Sequence, residues 1–192
     1  MDIDRMLLKS CNELVSQWPL LRTITRALVN DYAIPTLLAL LLLLLWFSGE
    51  SAGRREQNQR AVLWAITAVV VVNALIKLLN LVYYRPRPFA NSSLQLLFYR
   101  PSDSSFPSNA VAVAFSMATC VWLHNRRVAL IMYTMGFLLG LARLCSGVHF
   151  PSDIVGGVLV GAVPAYVIIR KAGVMELAWT AVIRRMRLLL LA

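Results

Sequence analysis

Arg143, His149 and Asp153 fall within eleven residues, in the run Ala142-Arg143-Leu144-Cys145-Ser146-Gly147-Val148-His149-Phe150-Pro151-Ser152-Asp153, between two strongly apolar segments. His149 is one of only two histidines in the chain. A carboxylate four residues after a histidine shares its face if a helix begins there. Asp153 can then hold the imidazole in one tautomer and favour its charged form. Arg143 adds a planar, permanently charged fork suited to phosphate oxygens. An orienting acid, a nucleophile or base, and an anion clamp together make a group fit for phosphoryl chemistry at a membrane surface.

The elements that must position this group are membrane helices. The chain has 192 residues, 59% of them hydrophobic, and a mean hydropathy of +0.67, too apolar for a soluble domain. Segments 34–49, 61–83, 107–124, 128–145 and 153–170 approach the length of roughly 20 residues that a crossing helix needs. Residues 172–191 are interrupted by Glu176, Arg184, Arg185 and Arg187 and read as an interfacial helix or a short sixth span. The first 33 residues mix apolar residues (Met6, Leu7, Leu8, Leu14, Val15, Trp18, Leu21, Ile24) with charged ones (Asp4, Lys9, Glu13, Arg22, Arg26), which suits a helix lying on the surface. Asp2 and Asp4 stand where a cleavable signal would be basic. The expected fold is an all-α integral membrane protein: a bundle of five to six transmembrane helices with an N-terminal interfacial amphipathic segment. It forms a single domain over 1–192, with 1–33 interfacial, 34–170 the transmembrane core and 171–192 the C-terminal helix.

The net charge of +10 does not point to nucleic acid, because the cations are not gathered on one soluble face. They alternate with the spans instead. Arg54, Arg55, Arg60, Arg126, Arg127, Arg170, Lys171, Arg184, Arg185 and Arg187 gather at one side, which the positive-inside bias makes cytoplasmic. The other side holds the 84–106 and 143–152 loops. Arg85, Arg87 and Arg143 lie there against the bias, and an anionic ligand is the natural reason. The three cysteines, Cys11, Cys120 and Cys145, describe neither a disulfide framework nor a metal site.

Two further clusters share that side. Lys77 precedes Asn80 and the run Tyr84-Arg85-Pro86-Arg87-Pro88-Phe89, whose prolines end the second span and stiffen its exit. Lys77 is an intramembrane cation, a functional candidate by default, with snorkelling to the interface as its alternative. Asp103-Ser104-Ser105-Phe106-Pro107-Ser108-Asn109-Ala110 opens the third span. Ser108 and Asn109 there can cap free backbone N–H groups or leave them to an anion.

Together the clusters resemble the type 2 phosphatidic acid phosphatase superfamily, whose motifs run Lys-x6-Arg-Pro, Pro-Ser-x-His and Ser-Arg-x5-His-x3-Asp. The third motif appears here with Ala142 for its serine, then Arg143, His149 and Asp153 at the family spacing. The second appears as Pro107-Ser108-Asn109-Ala110, with alanine for histidine. The first keeps Arg87-Pro88, but Asn80 takes the lysine position and Lys77 lies one turn deeper. The resemblance covers roughly 77–157, and the details are most similar to the bacitracin-resistance-type undecaprenyl diphosphate phosphatases.

That resemblance implies removal of the terminal phosphate from a polyprenyl diphosphate at the outer leaflet of the cell membrane, without metal or other cofactor. It implies His149 as the nucleophile that becomes a phosphohistidine, Asp153 as its orienting acid, and Arg87, Arg143 and Ser108 on the phosphoryl oxygens. Asn109, Lys77 and Arg85 complete the expected phosphate-binding set. The implied partners are a lipid phosphate and the bilayer. Ala110 occupies the position of the family's proton donor, a contribution typically worth about 100- to 10,000-fold in rate. His124 cannot replace it, lying fourteen residues along the same helix, roughly 21 Å away. Three accounts fit the alanine: an engineered substitution that holds substrate or product, a natural enzyme taking its proton from water, Asn109 or the substrate, or a binder without turnover. Phosphatidylglycerophosphate, phosphatidate and lipid A 1-phosphate stand as other substrates, and lipid-phosphate binding or transport as another class of function.

Overall fold

A chain leaving water must satisfy every backbone N–H and C=O internally, and helices do so within one segment. The computed structural model describes residues 3–90, 94–171 and 173–189 and contains eight α-helices there and no strand. They are α1 (Ile3–Gln17), α2 (Pro19–Val29), α3 (Ala33–Phe47), α4 (Ala52–Val82), α5 (Asn109–Trp122), α6 (Arg126–Cys145), α7 (Pro151–Lys171) and α8 (Gly173–Leu188). The all-α membrane architecture is the expected one. By length and apolarity α4, α6 and α7 can each cross a membrane, and α2 with α3, bent by 56°, can form a fourth, broken span. Among the described residues three or four spans qualify by length and composition, against the five to six expected, because α5 is apolar but only 14 residues long and α8 carries charges.

α5 is the inner helix of the bundle. Val111, Ala112, Ala114, Ala118, Cys120 and Val121 along it are all buried, and α4, α6 and α7 surround it. Its small residues let neighbours approach closely, and α7 answers with glycines. A Cβ built on Gly161 would overlap the Ala112 carbonyl, and one on Gly157 would stand 2.7 Å from the Ser108 carbonyl. One on Gly156 would strike the Phe106 ring. The glycine face of α7 thus seats both α5 and the Phe106-Pro107-Ser108 entry to it.

Three features differ from expectation for local reasons. α4 starts at Ala52 rather than 61, because Ser51 caps it by accepting from the Arg54 N–H at 3.3 Å. The N-terminal segment is two helices, since Pro19 starts α2 afresh where its missing N–H costs nothing. α1 also does more than lie on a surface. Leu8, Asn12 and Val15 are buried, while Met6, Leu7 and Leu14 on its other side stay exposed. The Asn12 amide donates to the carbonyls of Gln95 and Cys145, both at 2.9 Å, and accepts from the Gln95 N–H at 3.1 Å. α8 is tied to the start of α4: Glu176 pairs with Arg60 and accepts from the Trp64 indole at 3.0 Å, and Arg187 pairs with Glu56 at 3.0 Å.

At Gly161 the neighbours are backbone atoms of Ala112, which cannot yield. Gly161→Leu is expected to cost about 3 kcal/mol or more by overpacking, read as a fall in apparent melting temperature of the detergent-solubilised protein. Gly173→Ala, with nothing within 4 Å of the added Cβ, leaves it unchanged.

Candidate active site

The loop after α4, the start of α5, the end of α6 and the start of α7 meet at one end of the bundle. α4 ends at Val82, Pro86 and Pro88 flank Arg87 in the exit that follows, and a short 3-10 turn, Pro88–Ala90, comes next. The 146–150 turn passes through Gly147 at φ +79°, a backbone region that favours glycine, and delivers His149 to the bundle axis. His149 is 2% exposed and Asp153 0%.

His149 Nδ1 lies 2.8 Å from the carbonyl of Ser105, which can only accept, so Nδ1 carries the proton. Nε2 is left with its lone pair, 3.3 Å from Nη1 of Arg87. Burial is the main force on this imidazole and pushes its pKa down to about 4. Asp153 opposes the shift, and Arg87 and Arg143 add to it. A neutral imidazole whose lone pair accepts from a guanidinium can act on an anionic electrophile once that hydrogen bond is exchanged for one to the anion.

Asp153 does not touch His149 as a helix face predicts. Its Oδ2 is 3.8 Å from Nδ1. The carboxylate instead accepts from the Ser105 hydroxyl at 2.5 Å, the Phe150 N–H at 2.8 Å and Arg85 Nη1 at 2.6 Å. Ser105 is thus the link: its hydroxyl answers Asp153 and its carbonyl answers His149. The reason for the difference is that His149 precedes the helix, which begins only at Pro151.

The expected phosphate residues divide. A cavity of about 390 Å³ is lined by His149, Arg87, Arg143, Asn109 and Ala110, together with Asn80, Asp31, Asp103 and Tyr99. Arg87 is fixed by the Asp103 carbonyl at 3.1 Å, the Asp103 carboxylate at 2.8 Å and the Val148 carbonyl at 3.3 Å. Ser108 takes the N-cap position of α5 but makes no side-chain cap, and its buried hydroxyl has no hydrogen-bond partner. Arg85 is not on the cavity. Its guanidinium is taken by Asp153, by Ser152 at 2.7 Å and by Asp4 at 3.0 Å, and lies 4.4 Å over the Phe150 ring. It joins the carboxylate network and does not line the cavity. Lys77 also falls outside the cavity and lines a neighbouring groove with Asn73, Asn80 and Asn109. Ile76 and Asn80, one turn apart, face the cavity, and Lys77 is turned about 100° from Ile76 around the helix.

Sequence reasoning missed Ser105, Asp4 and Asp31. Asp4 accepts from the Ser152 N–H at 3.1 Å, from the Ser152 hydroxyl and from Arg85, so α1 caps the start of α7 from outside. Burial opposes its ionisation, but the bonds from Ser152 and Arg85 outweigh it and hold the carboxyl below its ordinary range. Nothing local signals these contacts. Only the adjacency of Ser105 to Asp103 and Ser108 placed it near the site.

Residues 61–174 match the family model described as the PAP2 superfamily. A Bacillus subtilis (strain 168) protein named undecaprenyl-diphosphatase BcrC is 32% identical over 145 residues, covering 74% of this chain and 70% of that protein. A Bacillus licheniformis protein named bacitracin transport permease protein BcrC is 30% identical over 129 residues, 67% of this chain and 61% of that protein. In structure the chain is similar to Aquifex aeolicus LpxE, with a TM-score of 0.64 at 26% identity over 88% of this chain and 96% of LpxE.

Two measurements follow from the geometry. Ser105→Ala removes a hydrogen bond to a buried carboxylate and is expected to cost about 1.5–3 kcal/mol, seen as a lowered melting temperature. The depressed His149 pKa also sets a pH window. Between about 6.5 and about 4 the unfolded chain binds this proton and the folded chain does not, so stability falls as pH drops through that range. Melting temperatures across it should slope less in His149→Asn than in the unaltered chain.

Proposed function

The chain belongs to the PAP2 superfamily of membrane lipid phosphatases, and from that premise we propose that it removes the terminal phosphate of a polyprenyl diphosphate. The observation that carries this is the neutral His149, its Nε2 facing Arg87 inside a cavity that Arg143 also lines. Nε2 attacks the terminal phosphorus as the bridging P–O bond breaks, and polyprenyl monophosphate leaves. Water then cleaves the P–N bond, releasing inorganic phosphate and restoring the imidazole. Arg87 and Arg143 offset the charge spread over the equatorial oxygens, the main demand of such a transfer. The Ser105 carbonyl takes the Nδ1 proton's hydrogen bond while the ring carries positive charge.

The alanine at 110 lines the cavity where the family's histidine would stand. A phosphate monoester is a fair leaving group with little need of a proton, so turnover is impaired rather than abolished. The site faces the extracytoplasmic side of the cell membrane in this reading, supported by Arg54, Arg126 and Arg127 around a cavity at the opposite end of the bundle. The name of the Bacillus subtilis relative supports the polyprenyl diphosphate, and residues 1–192 act as one phosphatase domain in this reading. A second reading is lipid-phosphate binding or transport without chemistry. It is favoured by the alanine itself and by the name of the Bacillus licheniformis relative.

Phosphate release from undecaprenyl diphosphate, phosphatidylglycerophosphate, phosphatidate and lipid A 1-phosphate separates these readings. Polyprenyl diphosphate is expected to be the best substrate. Ala110→His should raise its turnover at least tenfold, and no gain would remove the impaired-acid account. Acid-labile phosphate trapped on His149 marks the enzyme, and its absence under turnover conditions marks a binder.

A further inference from the structure

We propose that Asp31 is a resident competitor for phosphate at Arg143, a positioning residue that yields the guanidinium to an arriving phosphoryl group and reclaims it from the phosphate product. The inference rests on the phosphate-site reading above and deepens it. Asp31 Oδ1 accepts from Arg143 Nη2 at 2.5 Å, and both residues line the cavity that holds His149. A carboxylate and a phosphate offer a guanidinium the same fork of oxygens, so the two cannot hold one face of Arg143 together.

Arg143 differs from Arg87 in how it is held. Arg87 is fixed by two backbone carbonyls as well as Asp103, so its position survives any exchange of anion. Arg143, with its side chain only 7% exposed, takes its ion pair from Asp31, and its buried Nε has no hydrogen-bond partner. Its guanidinium also lies 5.7 Å over the Phe98 ring, a contact that persists when the anion changes. The exchangeable partner is thus the carboxylate.

Asp31 is built to move. It sits in the bend between α2 and α3, where two helices meet at 56°, and its side chain is 34% exposed. Its second oxygen accepts from the Tyr99 hydroxyl at 2.7 Å, and Tyr99 is 59% exposed. That bond gives the carboxylate a place to remain once Arg143 has turned to phosphate. Asp31 lies outside residues 61–174, so this control is added to the family portion of the chain from its N-terminal side. A competitor with no affinity for the ligand lowers apparent affinity by the fraction of time it occupies the site.

The test is binding of inorganic phosphate to the purified full chain in nanodiscs, by titration calorimetry, beside lipid turnover. Asp31→Asn is expected to tighten phosphate at least fivefold and to lower KM with it, without raising kcat. Asp31→Glu, which keeps the charge, stays within twofold of the unaltered chain, and Arg143→Gln weakens phosphate in either background. Phosphate affinity in Asp31→Asn that is unchanged or weaker overturns the proposal while turnover still supports the phosphatase reading. If neither the unaltered chain nor Asp31→Asn binds phosphate, the phosphate-site reading itself falls. A fluorine probe covers the case in which Asp31→Asn does not fold: 3-fluorotyrosine at position 99 should shift its resonance on adding phosphate. No shift at saturating phosphate overturns the proposal.

Discussion

A carboxylate sealed from water must have its oxygens answered by donors, or it will not stay charged. Asp153 is fully buried and receives three donors from three parts of the chain: the Ser105 hydroxyl ahead of α5, the Phe150 N–H ahead of α7, and the Arg85 guanidinium after α4. Two of these groups also fix something else, and so does Asp153 itself. Ser105 holds His149 through its carbonyl, Arg85 brings in Asp4 and with it α1, and the Asp153 carbonyl accepts the Ser108 N–H at 3.0 Å. The end of the bundle is organised around the satisfaction of this one anion. The position of the imidazole is a consequence of it.

Electrostatics and packing divide the labour between the two halves of the bundle end. Behind His149 lie the paired charges, Arg85 with Asp4 and Asp153, out of the cavity and largely neutralised. In front of it lie Arg87 and Arg143, whose pairing with Asp103 and Asp31 faces the cavity. The rear pairs set geometry and the front pairs face exchange. Between them the imidazole stays neutral because burial and two guanidinium groups disfavour a third positive charge.

How much of this was legible follows from what each residue depends on. His149, Arg143, Arg87, Asn109 and Ala110 converge on one cavity because alternate helix ends must gather on one side, which hydropathy and charge alternation reveal. The pairing inside the group was not legible in the same way. His149 lies before the helix, so the four-residue spacing to Asp153 does not place them face to face, and Ser105 intervenes. Lys77 and Arg87 read as one cluster along the chain, but the helix turns Lys77 away and the prolines redirect Arg87. Asp4 and Asp31 reach partners 81 and 112 residues away, through packing of α1 and the α2–α3 bend that no local pattern encodes.

The brevity of α5 has its own consequence. Its 14 residues rise about 21 Å, short of the ~30 Å of hydrocarbon that a bilayer presents, while α4, α6 and α7 have 31, 20 and 21 residues. A bundle whose central post is shorter than its walls is a well. The end of the post that carries Asn109 and Ala110 opens into the cavity lined by His149, Arg87 and Arg143. A well of that kind suits an amphiphile whose polar head is lowered while its tail stays among apolar surroundings, with water reaching the head from the open end. Such a shape brings together an apolar molecule and a hydrolytic one without either leaving its own phase.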